Sequence, residues 1–136
     1  MTFQFTVDGN DFLRAGEAST AVKRTLKQLG LESSLVRRIG IAMYEAEMNM
    51  VIHAHGGTIW VELTDTKLTI VLKDRGPGII DIDLAMQEGY STASQEIREL
   101  GFGAGMGLPN MKRYSDRLEV TTQVGLGTQI ILEFNL

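Results

Sequence analysis

Glu45, Asn49 and His53 stand at four-residue steps in the segment YEAEMNMVIHAHGG. That spacing aligns them along one side of a helix. A carboxylate so placed can act as a general base or orient an attacking hydroxyl, and an amide oxygen suits Mg²⁺, which prefers hard oxygen ligands. Asparagine is a poor helix-interior residue because its amide competes for backbone bonds, so its position inside the helix asks for a reason. The same trio also fits the solvated flank of an amphipathic helix, and the residues alone leave both readings open. Glu47 turns to another side of the helix and reads as solvated, and His55, beside Gly56, reads as a C-terminal cap.

Two further stretches have chemistry-bearing spacing. Asp74-Arg75-Gly76-Pro77-Gly78 directly follows a β-like run. It fits a tight turn, or a carboxylate at a strand end that accepts a hydrogen bond from a base's exocyclic amine, with glycines admitting a flat ring. GFGAGMGLPNMKR, residues 101–113, alternates glycine and then enters a helix-like run. It fits a hinge, or a loop whose helix start offers free N–H groups to phosphate. The dinucleotide fingerprint G-x-G-x-x-G fails, since it needs glycine at Met106 or Leu108. The P-loop fails as well, because the chain has no Gly-Lys pair.

Positioning these groups requires a particular order of elements. Phe3, Phe5 and Val7 alternate as in a half-buried strand, and Asp8 to Asp11 supply turn and cap residues. Ala15, Ala18, Val22, Leu26 and Leu29 form a helical stripe that stops at Gly30. A second helix after Ser33 or Ser34 buries Leu35, Ile39, Ala42, Ala46 and Met50, and ends near His55. Ile59, Val61 and Leu63, then Leu68, Ile70 and Leu72, predict a hairpin. A short helical segment around residues 83–87, a polar stretch 88–100, a helix of about 106–114 and a closing hairpin through Phe134 complete the chain. The order predicts one domain, 1–136, as an α/β (α+β) two-layer sandwich: a mainly antiparallel mixed sheet with helices on one face.

Composition narrows the partners. The 136 residues suit one domain, and 43% hydrophobic with 22% charged is ordinary for a globular chain. A net charge of −4 argues against a nucleic-acid surface. With no cysteine, disulfides and thiolate metal sites are excluded, which fits a cytoplasmic setting. No signal-peptide pattern opens the chain, and no apolar run approaches the roughly 20 residues that span a bilayer, so no membrane partner is expected.

Taken together, E-x-x-x-N on a helix, D-x-G-x-G after a strand and G-x-G-x-G before a helix resemble the N, G1 and G2 boxes of the GHKL (Bergerat-fold) ATPases. Gly127-Thr128 resembles the threonine that family places near adenine, and the likeness runs over essentially the whole chain. Within the superfamily the sequence is most similar to the serine kinases of bacterial anti-sigma and stress-switch modules. The compact length, the N-x-x-x-H of Asn49 to His53, and the phrase GYSTASQ carry that likeness. The resemblance implies ATP and Mg²⁺ as cofactors, Glu45 as catalytic base and Asn49 as metal ligand. His53 would border the nucleotide. Asp74 would bind the adenine amino group, with Gly76, Gly78 and Ile79 shaping its pocket and Thr128 supporting it. Gly101, Gly103, Ala104, Gly105, Met106, Gly107 and Leu108 would wrap the phosphates; Gly101 is one glycine more than the family pattern. A lid at about residues 87–105 would carry Arg98 towards the γ-phosphate. The implied protein substrate is a STAS-domain anti-sigma-factor antagonist, with a sigma factor or stress phosphatase as further partners and a homodimer as a natural assembly. A nucleotide-gated anti-sigma or regulator-binding module without significant kinase activity is the alternative.

Overall fold

The computed structural model describes residues 1–9, 11, 13–53, 56–79, 82–87 and 107–136. Strand β1 spans Thr2–Asp8, helix α1 Glu17–Gln28 and helix α2 Ser33–His53. Strands β2 (Gly56–Leu63) and β3 (Lys67–Asp74) follow, then a single turn α3, Ile82–Ala85. Helix α4 (Gly107–Tyr114) and strands β4 (Arg117–Gln123) and β5 (Gly127–Asn135) close the chain. The five strands run in the order β1-β2-β3-β5-β4, every pairing antiparallel.

The register explains the core. Phe5, Ile59, Leu72, Ile130 and Val120 lie level across the five strands, and Phe3, Val61, Ile70, Leu132 and Leu118 form the next row. Because side chains alternate along a strand, both rows point to one face, and all ten residues pack in the core with α1, α2 and α4. Each fully buried aliphatic or aromatic side chain contributes about 1.5–3 kcal/mol of transfer free energy. On the other face the middle row reads Gln4, Trp60, Val71, Ile131 and Glu119.

Helix α1 ends as Gly30 requires. Gly30 has φ 82°, its N–H donates to the Lys27 carbonyl, and the Leu31 N–H donates to that of Leu26. This is a Schellman closure with glycine at the left-handed position. Leu29, expected on the buried stripe, is instead the C-cap and 46% exposed, because the chain turns away there.

The start of α1 differs more from expectation. Asp8 and Asp11 do not cap it; Gly16, at φ 92°, is the N-cap and no local side chain bonds to the first turn. The cap comes from α2. Glu47, expected to be solvated, is 2% exposed. Its Oε2 accepts the N–H groups of Gly16 (2.9 Å) and Ala18 (3.3 Å). Its Oε1 accepts the Ser19 N–H (2.9 Å) and hydroxyl (2.6 Å). A buried carboxylate thus satisfies the orphan donors of a helix start and sits at its positive dipole end. No sequence periodicity marks this, because the bond joins residues about thirty apart. α2 is a central helix, packed on α1, on α4 and on the sheet, so several of its sides are buried. It ends at His53; His55 lies outside the described residues. Among the described residues no helix is long and apolar enough to cross a membrane.

Candidate functional site

At one end of the sheet the inner rows stop being apolar. Val7 pairs with Gly57, Gly57 with Asp74, and Thr122 with Thr128. The β3–β5 ladder, which pairs Lys73 with Gln129, brings Asp74 level with Thr128 at its next step. Glycine, aspartate and two threonines therefore replace aliphatic side chains in the last row. A polar row there costs packing energy unless its groups are satisfied or face a ligand.

Asp74 is held by backbone. Its Oδ1 accepts the N–H of Gly76 at 2.9 Å and that of Thr128 at 3.1 Å. Among the described residues Oδ2 has no partner, so an acceptor is left for an incoming donor. Glycines let neighbouring chains approach Asp74 closely. A Cβ on Gly127, at φ 136°, would lie 2.2 Å from the Asp74 carbonyl oxygen. One on Gly57 would meet the Lys73 carbonyl oxygen at 2.1 Å and Asp74 Cα at 2.8 Å. Gly127→Ala is expected to cost about 2–3 kcal/mol through backbone strain at that φ and to displace Asp74; thermal melting with and without nucleotide reads both effects.

The Gly76–Ile79 turn is pinned to β4. The Ile79 N–H donates to Thr122 Oγ1 at 2.8 Å, and the Gly125 N–H donates to the Pro77 carbonyl at 2.8 Å. Gly78 has φ 80°, and a Cβ there would strike the Gln123 carbonyl oxygen at 2.7 Å. Gly78 thus has a steric reason to be glycine.

From α2, Glu45 and Asn49 face the start of α4. Asn110 Nδ2 donates to Glu45 Oε1 at 3.4 Å. A Cβ on Gly107 would lie 3.2 Å from Asn49 Oδ1. One residue further, Met50 Cε would lie 2.7 Å from a Cβ on Gly57, the residue opposite Asp74. A chain of contacts therefore joins Glu45, Asn49, the entry of α4 and the polar row of the sheet. Leu108 and Met111 point into the core and anchor α4 on α2. His53 closes α2. Arg98, Gly101, Gly103, Ala104, Gly105 and Met106, with most of the expected lid, lie outside the described residues.

ATP and Mg²⁺ fit these groups. The space beside Gly107 that a Cβ would fill adjoins a hard amide oxygen, and the free edge of Asp74 suits an amino donor. Two participants escaped the sequence reading, Asn110 and Thr122. The only signal for Thr122 was its place in the inward line of Leu118 and Val120, where a third aliphatic residue is expected.

A two-layer α+β sandwich whose apolar sheet ends in a carboxylate–glycine–threonine row, next to a helix carrying Glu and Asn, defines a ligand-binding domain class. A family model described as the histidine kinase-like ATPase domain matches residues 11–134. The chain belongs to that family. It is 33% identical over 112 residues to the serine/threonine-protein kinase RsbT of Bacillus subtilis, covering 79% of this chain and 78% of that protein. It is 36% identical over 118 residues to the anti-sigma F factor of Caldanaerobacter subterraneus, covering 83% and 79%. The fold is shared with the RsbU and RsbW domains of a Mycobacterium tuberculosis protein (TM-score 0.67, 17% identity), where the match covers 98% of this chain and 32% of that one. It is shared too with a chain of the SiaB–SiaC complex of Pseudomonas aeruginosa (TM-score 0.61, 14% identity), covering 97% and 88%.

Proposed function

We propose that the protein is an ATP-dependent serine/threonine protein kinase of a partner-switching module that phosphorylates a STAS-domain antagonist. The observation that carries this reading is Glu45, a half-buried carboxylate held by Asn110 beside Asn49 and the glycine that opens α4. A pure nucleotide binder has no evident use for a base there.

Asp74 Oδ2 would accept the adenine amino group, and the loop ending at Gly107 would wrap the phosphates at the N-terminus of α4. Asn49 would hold Mg²⁺, which supplies charge neutralisation at the phosphates. Glu45 would take the proton of the substrate hydroxyl as its oxygen bonds to the γ-phosphorus, the bond to the β-phosphate oxygen breaks and ADP departs. Positioning and electrostatics contribute most of the rate in such transfers. Arg98, from the lid, is the candidate γ-phosphate contact. Added phosphate brings about −1.5 to −2 charges to the antagonist, enough to remake a small interface. A sigma factor or stress phosphatase is the proposed competing partner, a homodimer the proposed assembly and the cytoplasm the proposed location.

Glu45→Ala is expected to retain ATP binding while phosphoryl transfer falls by about 10²–10⁴-fold. Melting shifts with ATP and single-turnover transfer measure the two separately. Normal transfer by this variant would remove Glu45 from the base role.

A second reading, a nucleotide-gated binding module, has one observation in its favour. Val124 and Leu126, at the tip of the β4–β5 hairpin, are 62% and 64% exposed. The same tip is bonded to the turn after Asp74 through Gly125 and Pro77. An apolar partner contact there would feel the nucleotide pocket. ATP binding with no transfer to any STAS protein would favour this reading.

A further inference from the structure

Thr122 stands on the inner side of β4, paired with Thr128 and level with Asp74 at the polar end of the sheet. Its hydroxyl is used to capacity. Oγ1 accepts the Ile79 N–H at 2.8 Å, lies 3.0 Å from Thr128 Oγ1, and reaches the Gly127 carbonyl oxygen at 3.3 Å. One hydroxyl has one proton and two lone pairs, so it can donate to Gly127 and accept from both Ile79 and Thr128. These partners lie in two places: Ile79 in the turn that follows Asp74, and Gly127 and Thr128 at the start of β5. Both places also touch Asp74, through the Gly76 N–H on one side and the Thr128 N–H on the other.

We propose that Thr122 is a positioning residue for base recognition: its hydroxyl clamps the Gly76–Ile79 turn to the Gly127–Thr128 strand start and thereby fixes the Asp74 carboxylate at the angle that accepts a purine 6-amino group. The role rests on the ATP reading of the site. Valine has the same branched shape, so Thr122→Val removes the hydroxyl's bonds while nearly keeping its volume. Without the hydroxyl, the Ile79 N–H and the Thr128 hydroxyl lose a shared partner, and among the described residues the Gly125–Pro77 bond is the tie left between the turn and the β4–β5 hairpin, which loosens the hold on Asp74. A loosened Asp74 weakens recognition of the amino group specifically, because phosphate contacts come from the other end of the site, at α4.

The test compares ATP with inosine triphosphate, which carries a 6-oxo group in place of the 6-amino group. Calorimetric Kd values are measured for wild type, Thr122→Val and Thr122→Ser, with transfer rates at saturating ATP alongside. Loss of one well-placed hydrogen-bonding group corresponds to about a five- to tenfold change. Thr122→Val is expected to weaken ATP by that factor, leave inosine triphosphate nearly unchanged and leave the saturated transfer rate intact; Thr122→Ser is expected to recover ATP affinity. Thr128→Val removes the same hydroxyl pair from the other side, and the double variant is expected to lose less than the sum of the two. Should Thr122→Val fail to fold, Thr122→Ala serves in its place. Equal weakening of both nucleotides, or unchanged ATP binding, would overturn the proposal. Failure of the wild type to bind ATP would contradict the nucleotide site itself, and this role with it.

Discussion

Glu47→Ala is expected to lower stability by about 3–5 kcal/mol, the range for stripping a partner from a buried charge network. The side chain is 2% exposed and accepts four hydrogen bonds from the start of α1. Alanine would leave the N–H groups of Gly16, Ala18 and Ser19 without that acceptor in a buried place, and would remove a negative charge from the positive end of the helix. For a domain of this size each kcal/mol moves the melting temperature by about 2–4 °C, so a drop of about 6–20 °C is expected. Glu47→Gln keeps an acceptor oxygen but adds a donor where the surroundings already donate, and is expected to fall between the two. Melting curves of the three proteins check this. A loss below about 1 kcal/mol, in the range of an exposed residue, would contradict the cap.

The second large effect concerns ligand binding. Ligand at 100-fold above its Kd stabilises a protein by about 2.7 kcal/mol. ATP with Mg²⁺ at that level is therefore expected to raise the wild-type melting temperature by about 5–10 °C. Asp74→Asn is expected to abolish the shift while leaving the unliganded protein close to wild type. The amide oxygen can still accept the Gly76 and Thr128 N–H groups, which preserves the turn. Its NH₂ then points where the carboxylate offered a lone pair, so the asparagine NH₂ and the adenine amino group meet donor to donor. Sites built to bond a polar group reject a mismatched one strongly, because buried partners go unpaired. An unchanged ATP shift in Asp74→Asn would move the base pocket elsewhere.

Much of this was legible in the sequence for identifiable reasons. The strands were, because Phe3-Phe5-Val7, Ile59-Val61 and Leu68-Ile70-Leu72 alternate cleanly, and the observed register places them in common rows. Gly30 marked the end of α1, since the left-handed position there favours glycine. Glu45, Asn49 and Asp74 stood out because each breaks a local rule: a polar run beside a buried stripe, an amide inside a helix, an acid at a strand end. Glu47 did not, because helical spacing reports only which side a residue occupies. α2 buries that side too, under α1, and no local pattern announces a contact between helices. Thr122 was hidden for a related reason. A threonine is at home in any strand, and its role depends on Ile79, 43 residues away. Asn110 likewise depends on Glu45, 65 residues earlier. What sequence periodicity cannot reveal is cross-linking of this kind, and those bonds hold the candidate site in shape.

Phosphoryl transfer from ATP to a protein hydroxyl is the reaction that defines the proposed kinase. Its most direct test is incubation of the purified chain with γ-labelled ATP, Mg²⁺ and candidate STAS-domain proteins, followed by acid and alkali treatment of the product. Label is expected on the STAS protein; it survives acid, is lost in alkali, and is absent when Glu45→Ala replaces the wild type. Label that is lost in acid and survives alkali, as histidine phosphate does, or no label on any STAS protein while ATP binds, would contradict the proposed kinase.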